Sequence, residues 1–323
     1  MPGLVLTLLL VLQAPAYALD AQALIPVGST VGIRMETEGV MVSGLSDVET
    51  DAGVICPAGD AGLQCGDVIC AVNGRETKDA AAFLTAVSAL DGAQVTLRVR
   101  RDGQEIRFVV VPAKNKEGKY QLGLWLRDGI SGIGTVTFYD PESGTFGALG
   151  HGISSMETGE LLPVGQGSIC PSQVIDVVRG AAGAPGALCG DFDAERTLGS
   201  VVKNTESGIF GVGNFSDCGA PLPVARESEV TLGPASILAN VDGSDVASYA
   251  VEISRIYRDG DNRFLLLTVT DPSLIARTGG IVQGMSGSPI LQGGKLVGAV
   301  THVLVNDPTR GYGISIEDMM NAA

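Results

Sequence analysis

A mainly β protein in two parts, a small α/β module followed by a larger strand-rich body, is what the sequence predicts, and three observations carry the prediction. Short apolar runs at residues 134–139, 174–178, 200–202, 208–212, 246–256, 264–269, 295–305 and 311–316 recur between glycine-rich turns, which argues for a barrel or sandwich. The first part holds a helical pattern instead, with Phe83, Leu84, Val87 and Leu90 at near-helical spacing within residues 78–90 and Asp91-Gly92 to end it. Between the two lies Ala113-Lys-Asn-Lys-Glu-Gly-Lys-Tyr120, a polar stretch that reads as an exposed connector. A chain of 323 residues is long enough for two domains with cores of their own. The predicted boundaries are 26–112 for the module and 120–323 for the body, with residues 1–19 set apart as a signal or anchor segment.

Within the module, Gly62-Leu-Gln-Cys-Gly-Asp-Val-Ile-Cys-Ala-Val-Asn-Gly74 resembles the central signature of a PDZ domain, where a short strand and an Asn-Gly turn precede the peptide-binding helix. The runs 95–99 and 106–111, joined through Asp102-Gly103, then form a hairpin. The resemblance implies a module that adds a peptide as an extra strand along a sheet edge. A circularly arranged PDZ would draw its carboxylate loop from Ile25-Pro-Val-Gly-Ser-Thr-Val-Gly-Ile33.

Chemistry points to Gly279-Gly-Ile-Val-Gln-Gly-Met-Ser-Gly-Ser-Pro-Ile290, which places Ser286 in a glycine-rich turn between two apolar runs. In serine proteases of the chymotrypsin type, Gly-x-Ser-Gly lets two backbone amides converge on one point; here they are those of Gly284 and Ser286, an oxyanion hole in which each donor is worth roughly 100- to 1000-fold in turnover. A hydroxyl nucleophile needs a base, and the chain has two histidines, His151 and His302. His151 stands among glycines in Gly147-Ala-Leu-Gly-His-Gly-Ile153, where a substrate can approach, and is the predicted base. His302 lies in an alternating strand after the nucleophile and reads as a structural histidine. No H-E-x-x-H or spaced cluster of His, Cys and carboxylate suggests a metal.

A buried carboxylate normally orients such an imidazole. Asp271, ending the apolar run before Pro272, is the first candidate; Asp191 and Asp193, then Asp140, compete with it, and spacing does not choose among them because such residues meet in space. A turn-capping role is the alternative for Asp271.

Four segments, Gly132-Ile-Gly-Thr-Val-Thr-Phe-Tyr-Asp-Pro141, Gly147-Ala-Leu-Gly-His-Gly152, Thr278-Gly-Gly-Ile-Val-Gln-Gly-Met-Ser-Gly-Ser-Pro289 and Thr301-His-Val-Leu-Val-Asn-Asp-Pro308, together resemble the SpoIVB family of sporulation serine peptidases, over residues from about 25 to the C-terminus. The resemblance implies two β-barrels of chymotrypsin type with the site between them, catalytic residues at His151, Asp271 and Ser286, no cofactor and no metal. It places the strand through Val300-Thr-His-Val303 where a substrate backbone pairs, so that His302 would neighbour a specificity subsite. It further implies cleavage of a membrane-associated regulator, and of the chain itself, in signalling between forespore and mother cell that leads to sigma-factor processing.

Composition excludes some partners. With 36 acidic and 21 basic residues the net charge is −15, and no basic stripe offers a phosphate backbone anything to hold, so nucleic acid is not expected. The apolar stretch at residues 4–12 is too short to span a bilayer and precedes the small-residue pattern Ala16-Tyr-Ala18, which points to export, with retention as an anchor the alternative. Six cysteines, three in each part, demand no disulfide framework and form no paired metal knuckles. The leading reading is an exported serine endopeptidase acting on protein or peptide substrates. A PDZ-bearing scaffold with an inactive protease-like domain competes with it, and an esterase is disfavoured because the Gly-x-Ser-x-Gly elbow is missing.

Overall fold

The computed structural model describes residues 22–156 and 158–323; the apolar stretch at 4–12 and the Ala16-Tyr-Ala18 pattern lie outside the described residues. The fold is mainly β, and its body is a pair of six-stranded barrels. In the first barrel, Thr30–Leu45 pairs antiparallel with Leu124–Asp140, and the ladder continues through Thr145–Ala148, Gly208–Gly213, Gly199–Thr205 and Gln166–Val178 before returning to Thr30–Leu45. Alternation closes it: Val31, Ile33 and Met35 share an interior with Val136, Phe146, Ile169, Val201 and Ile209. The second barrel runs Gly233–Asn240, Val246–Asp259, Asn262–Val269, Asp307–Ser315, Lys295–Leu304 and Pro289–Gln292, closed around Ile237, Ile253, Leu265, Leu267, Ile290 and Val300. Leu24 of the strand Ala23–Pro26, with Phe138 and Phe210 of the first barrel, packs on Leu296, Ala299, Ile314 and the C-terminal helix residues Ile316 and Met319, and this shared apolar cluster lies between the barrels.

The predicted boundary at residue 26 needs correction. Residues 30–36 are first-barrel staves, and only residues 40–45 of the same strand pass into the module, where Val40 and Met41 pair with Val68–Val72. Leu124–Asp140 divides in the same way, its residues 124–127 pairing in the module and 129–135 in the barrel. The module is thus inserted into the first barrel, with both of its ends carried by barrel strands. The crossing is made at glycine: a side chain on Gly129 would lie 2.1 Å from the Met35 carbonyl oxygen, so only glycine lets the two strands stay this close where the register shifts. Period-2 alternation runs through such a strand without a break, so the sequence shows one long strand and not the change of sheet.

The helix of the module, Ala80–Ser88, is N-capped by the Asp79 side chain on Ala82 N, and buries Phe83 and Val87 against Val42, Ile69, Leu97 and Val99. Val95–Arg101 and Gln104–Val110 form the predicted hairpin, with positive φ at both Asp102 and Gly103. Asp67, 1 % exposed, takes a two-pronged ion pair from Arg101 at 2.6 and 2.7 Å and a third bond from Gln64 N. The predicted carboxylate loop is also corrected. Residues 25–33 serve the first barrel, Ile25 pairing with Tyr139 and Ile33 with Gly132. The groove beside the helix, about 740 Å³, is lined instead by Leu84, Val87 and Leu90 on one side and by residues 120–126 on the other. All six cysteines are free thiols, and no described helix is long and apolar enough to cross a membrane.

Candidate active site

The nucleophile loop is launched by the helix Pro272–Thr278. Asp271 caps its start, Gly279 ends it in the left-handed region, and the chain then turns through Val282 and Met285, both buried, before entering Pro289–Gln292. Gly284 and Gly287 have φ of +97° and +98°, and a side chain on Gly287 would lie 2.0 Å from the Thr135 carbonyl oxygen. The Gly-x-Ser-Gly spelling is therefore required by conformation at both glycines and, at Gly287, by close approach as well.

The amides of the loop sort themselves. Met285 N donates to Val282 O at 3.1 Å, Gly287 N to Val300 O at 2.7 Å and Ser288 N to Met285 O at 3.0 Å. Among the described residues, the amides of Gly284 and Ser286 have no acceptor, and these are the two predicted oxyanion donors. Their directions are set by the other end of each planar trans peptide. Gln283 O accepts from Leu188 N at 2.8 Å, and Met285 O accepts from Ser288 N, so the N–H of Gly284 and of Ser286 each points away from those bonds. The predicted alternation of glycine and serine thus yields uncommitted donors on both sides of Met285.

Ser286 is half-buried and its Oγ donates to the Thr301 carbonyl at 2.6 Å. His151 comes from the other barrel. Leu149 and Gly150 before it take φ of +71° and +70°, which turns the chain out of Thr145–Ala148 and sets the imidazole over the strand Lys295–Leu304. Its ring stands 4.6 Å from that of His302, centroid to centroid, tilted by 32°. His151 and Ser286 therefore approach adjacent residues, His302 and Thr301, from different barrels. Burial holds the His151 imidazole below its ordinary proton affinity, partly offset by the Gly152 carbonyl, which contacts Nδ1 at 2.8 Å. His302 is lowered too, by burial first and then by the neighbouring His151. Both shifts favour the neutral ring, the form in which a base accepts a proton.

Asp271 stands apart from this pair. Its carboxylate accepts from Ser273 N, Ser273 Oγ, Leu274 N and Ala250 N, at 2.9, 2.6, 3.1 and 3.2 Å, and those bonds, the Ser273 hydroxyl foremost, hold its carboxyl below the ordinary carboxylate range. In this structure it caps a helix, where the alternative read from the sequence is a turn cap, and His151 Nδ1 rests on a carbonyl in place of a carboxylate. Two of the competing aspartates are engaged locally, Asp140 holding Glu142 N and the Ser143 hydroxyl and Asp193 holding Glu195 N, while Asp191 lies opposite Gln173 in a strand pair. Sequence reasoning missed Thr135, which touches the loop at two points, and the close, tilted approach of the His302 ring to His151. The Thr135 signal was present as the polar residue inside the apolar run Gly134-Thr-Val136. Among the described residues, no group of three His, Cys, Asp or Glu side chains could hold a metal.

Residues 118–320 match the SpoIVB peptidase S55 family, and residues 51–101 match a PDZ domain. A 68-residue stretch is 40% identical to the "Putative zinc metalloprotease LL2128" of Lactococcus lactis subsp. lactis (strain IL1403), covering 21% of this chain and 16% of that protein. The chain thus spans about a sixth of that relative. Among solved structures, the active form of the Rv3671c protease of M. tuberculosis aligns with a TM-score of 0.38 and 14% identity, over 60% of this chain and 73% of that one. The inactive form, a serine-to-alanine mutant, aligns with a TM-score of 0.36 and 13% identity, over 59% and 79%. By the two family matches, the chain combines a domain of a serine peptidase family with a PDZ domain. The chain belongs to the SpoIVB peptidase S55 family.

Proposed function

We propose that this peptidase is exported, that Ser286 is its nucleophile and His151 its general base, and that it cleaves a membrane-associated regulatory protein, and its own chain, in sporulation signalling that leads to sigma-factor processing. The observation that carries the site assignment is the pair of uncommitted amides, Gly284 and Ser286, flanking the nucleophile in a loop that closes on the same strand as His151. In the reaction, Ser286 Oγ leaves the Thr301 carbonyl by rotation about its Cα–Cβ bond, passes its proton to the neutral His151 and attacks the scissile carbonyl, whose developing oxyanion the two amides receive. The substrate backbone runs along residues 300–303, which puts His302 beside the residue being recognised. Asp271 is proposed as the orienting acid only if turnover brings it to the histidine. Family membership supports the sporulation role, and the groove beside Ala80–Ser88 is proposed to hold a peptide segment of substrate, partner or the chain itself.

A second reading, a binding scaffold with a silent peptidase domain, draws on the Ser286 hydroxyl being donated to Thr301 instead of to an imidazole. One experiment separates the two. The chain from residue 20, with and without Ser286→Ala, is followed for self-cleavage and for cleavage of casein by gel and mass spectrometry. Cutting by the native chain and none by the variant establishes the nucleophile; equal cutting removes Ser286 from the mechanism; silence of both, while both fold, favours the scaffold.

A further inference from the structure

The nucleophile loop belongs to the second barrel, yet one residue of the first barrel holds it at two points and holds the histidine loop at a third. Thr135, 1 % exposed, donates from Oγ1 to the Gly284 carbonyl at 2.8 Å and from its amide to the Ser286 carbonyl at 2.9 Å. Its own carbonyl accepts from Leu149 N at 3.1 Å, two residues before His151. The loops meet there backbone to backbone: a side chain on Gly287 would come within 2.0 Å of Thr135 O and 2.6 Å of Leu149 N.

The bond to Gly284 is the informative one. The amide donors of the oxyanion hole belong to the peptides 283–284 and 285–286, and the peptide 284–285 lies between them. That middle peptide is gripped at both ends, by Thr135 on its carbonyl and by Val282 O on its N–H. A planar peptide turns as one body, so releasing its carbonyl lets it rotate and swings both flanking donors together. Neither valine nor alanine at 135 could supply this grip, and serine could.

Resting on the reading of Ser286 as nucleophile, we propose that Thr135 is a positioning residue of this peptidase, whose hydroxyl fixes the oxyanion donors in register with the histidine of the other barrel. It touches no reacting atom and acts through the 284–285 peptide. Misplacement of catalytic groups by about 1 Å costs about 100-fold, so loss of the hydroxyl should lower kcat by about 10- to 100-fold and leave KM within about threefold.

The test compares the native chain with Thr135→Val, Thr135→Ser and Ser286→Ala, reading the rate of labelling by a fluorophosphonate probe, kcat and KM on a peptide cut from casein, and the melting temperature. Ser286→Ala reports on the nucleophile alone: if it still labels and cuts like the native chain, the active-site reading falls whatever position 135 does. Given a silent Ser286→Ala, slow labelling and low kcat in Thr135→Val with KM kept and recovery in Thr135→Ser support the proposal. Native rates in Thr135→Val overturn it. Equal impairment of Thr135→Ser also overturns it, since the methyl group and not the hydroxyl would then matter. Should Thr135→Val fail to fold, Thr135→Cys, close in volume and a weak donor, replaces it under the same outcomes.

Discussion

At Ser286 and His151 the same chemistry is legible at two depths. A serine in a glycine-rich turn and a histidine among glycines can be picked from the sequence as candidates, because residue type and turn context are local properties. Their condition can not: burial lowers the proton affinity of both histidines, and the neighbouring His151 lowers that of His302 further. Activity should therefore rise with pH along a limb whose midpoint lies below the ordinary histidine value of about 6.5 and be flat by neutrality, as a plot of kcat/KM against pH would show. His302→Gln should retain that limb, and His151→Ala should remove activity altogether. Stability follows the same sign. In the unfolded chain the histidines protonate first, so as pH falls from about 6.5 toward the lower folded values the unfolded state binds more protons and the fold loses stability, measurable as a falling melting temperature. Asp67 makes a further residue-scale case. Nearly fully buried, it is the anchor for Arg101 and Gln64 N, and Asp67→Ala should cost about 3 kcal/mol in denaturant unfolding of the module by stranding its partners.

The helix Pro272–Thr278 and its loop show how an element settles what a residue does. Asp271 was readable either as a triad carboxylate or as a cap, because either role is filled by a carboxylate and residue type alone does not choose between them. Its four bonds to Ser273, Leu274 and Ala250 make it the cap in this structure. Asparagine caps about as well as aspartate and alanine does not, so Asp271→Asn should hold its stability while Asp271→Ala loses about 1 kcal/mol by thermal or urea unfolding. The same pair separates the roles in activity. Loss of the orienting charge alone costs about 10⁴-fold in such enzymes; an Asp271→Asn chain that falls so far while remaining folded would bring the carboxylate to His151 during turnover, and a chain that keeps most of its activity would leave Asp271 a cap.

Across the whole molecule, the strands Thr30–Leu45 and Leu124–Asp140 each serve the module at one end and the first barrel at the other. A fragment starting at residue 120, the boundary suggested by the lysine-rich connector, lacks residues 30–36 and leaves Gln166–Val178 and Leu124–Asp140 with open edges. It should not fold, giving no cooperative melt and little near-ultraviolet circular dichroism, whereas the chain from residue 20 should show both. From sequence alone come the mainly β class, the helix and hairpin of the module, and the Gly284, Ser286 and His151 candidates, because strand alternation, turn chemistry and a rare residue in a glycine loop are local properties. Only the tertiary structure decided that the module is inserted, that the groove beside its helix borders residues 120–126, that Asp271 caps a helix, and that Thr135 joins two loops from separate barrels. Most of those facts depend on segments distant in sequence meeting in space, Thr135 and Gly284 being 149 positions apart, and they are fixed by barrel closure and packing between barrels, which alternation along one strand does not encode.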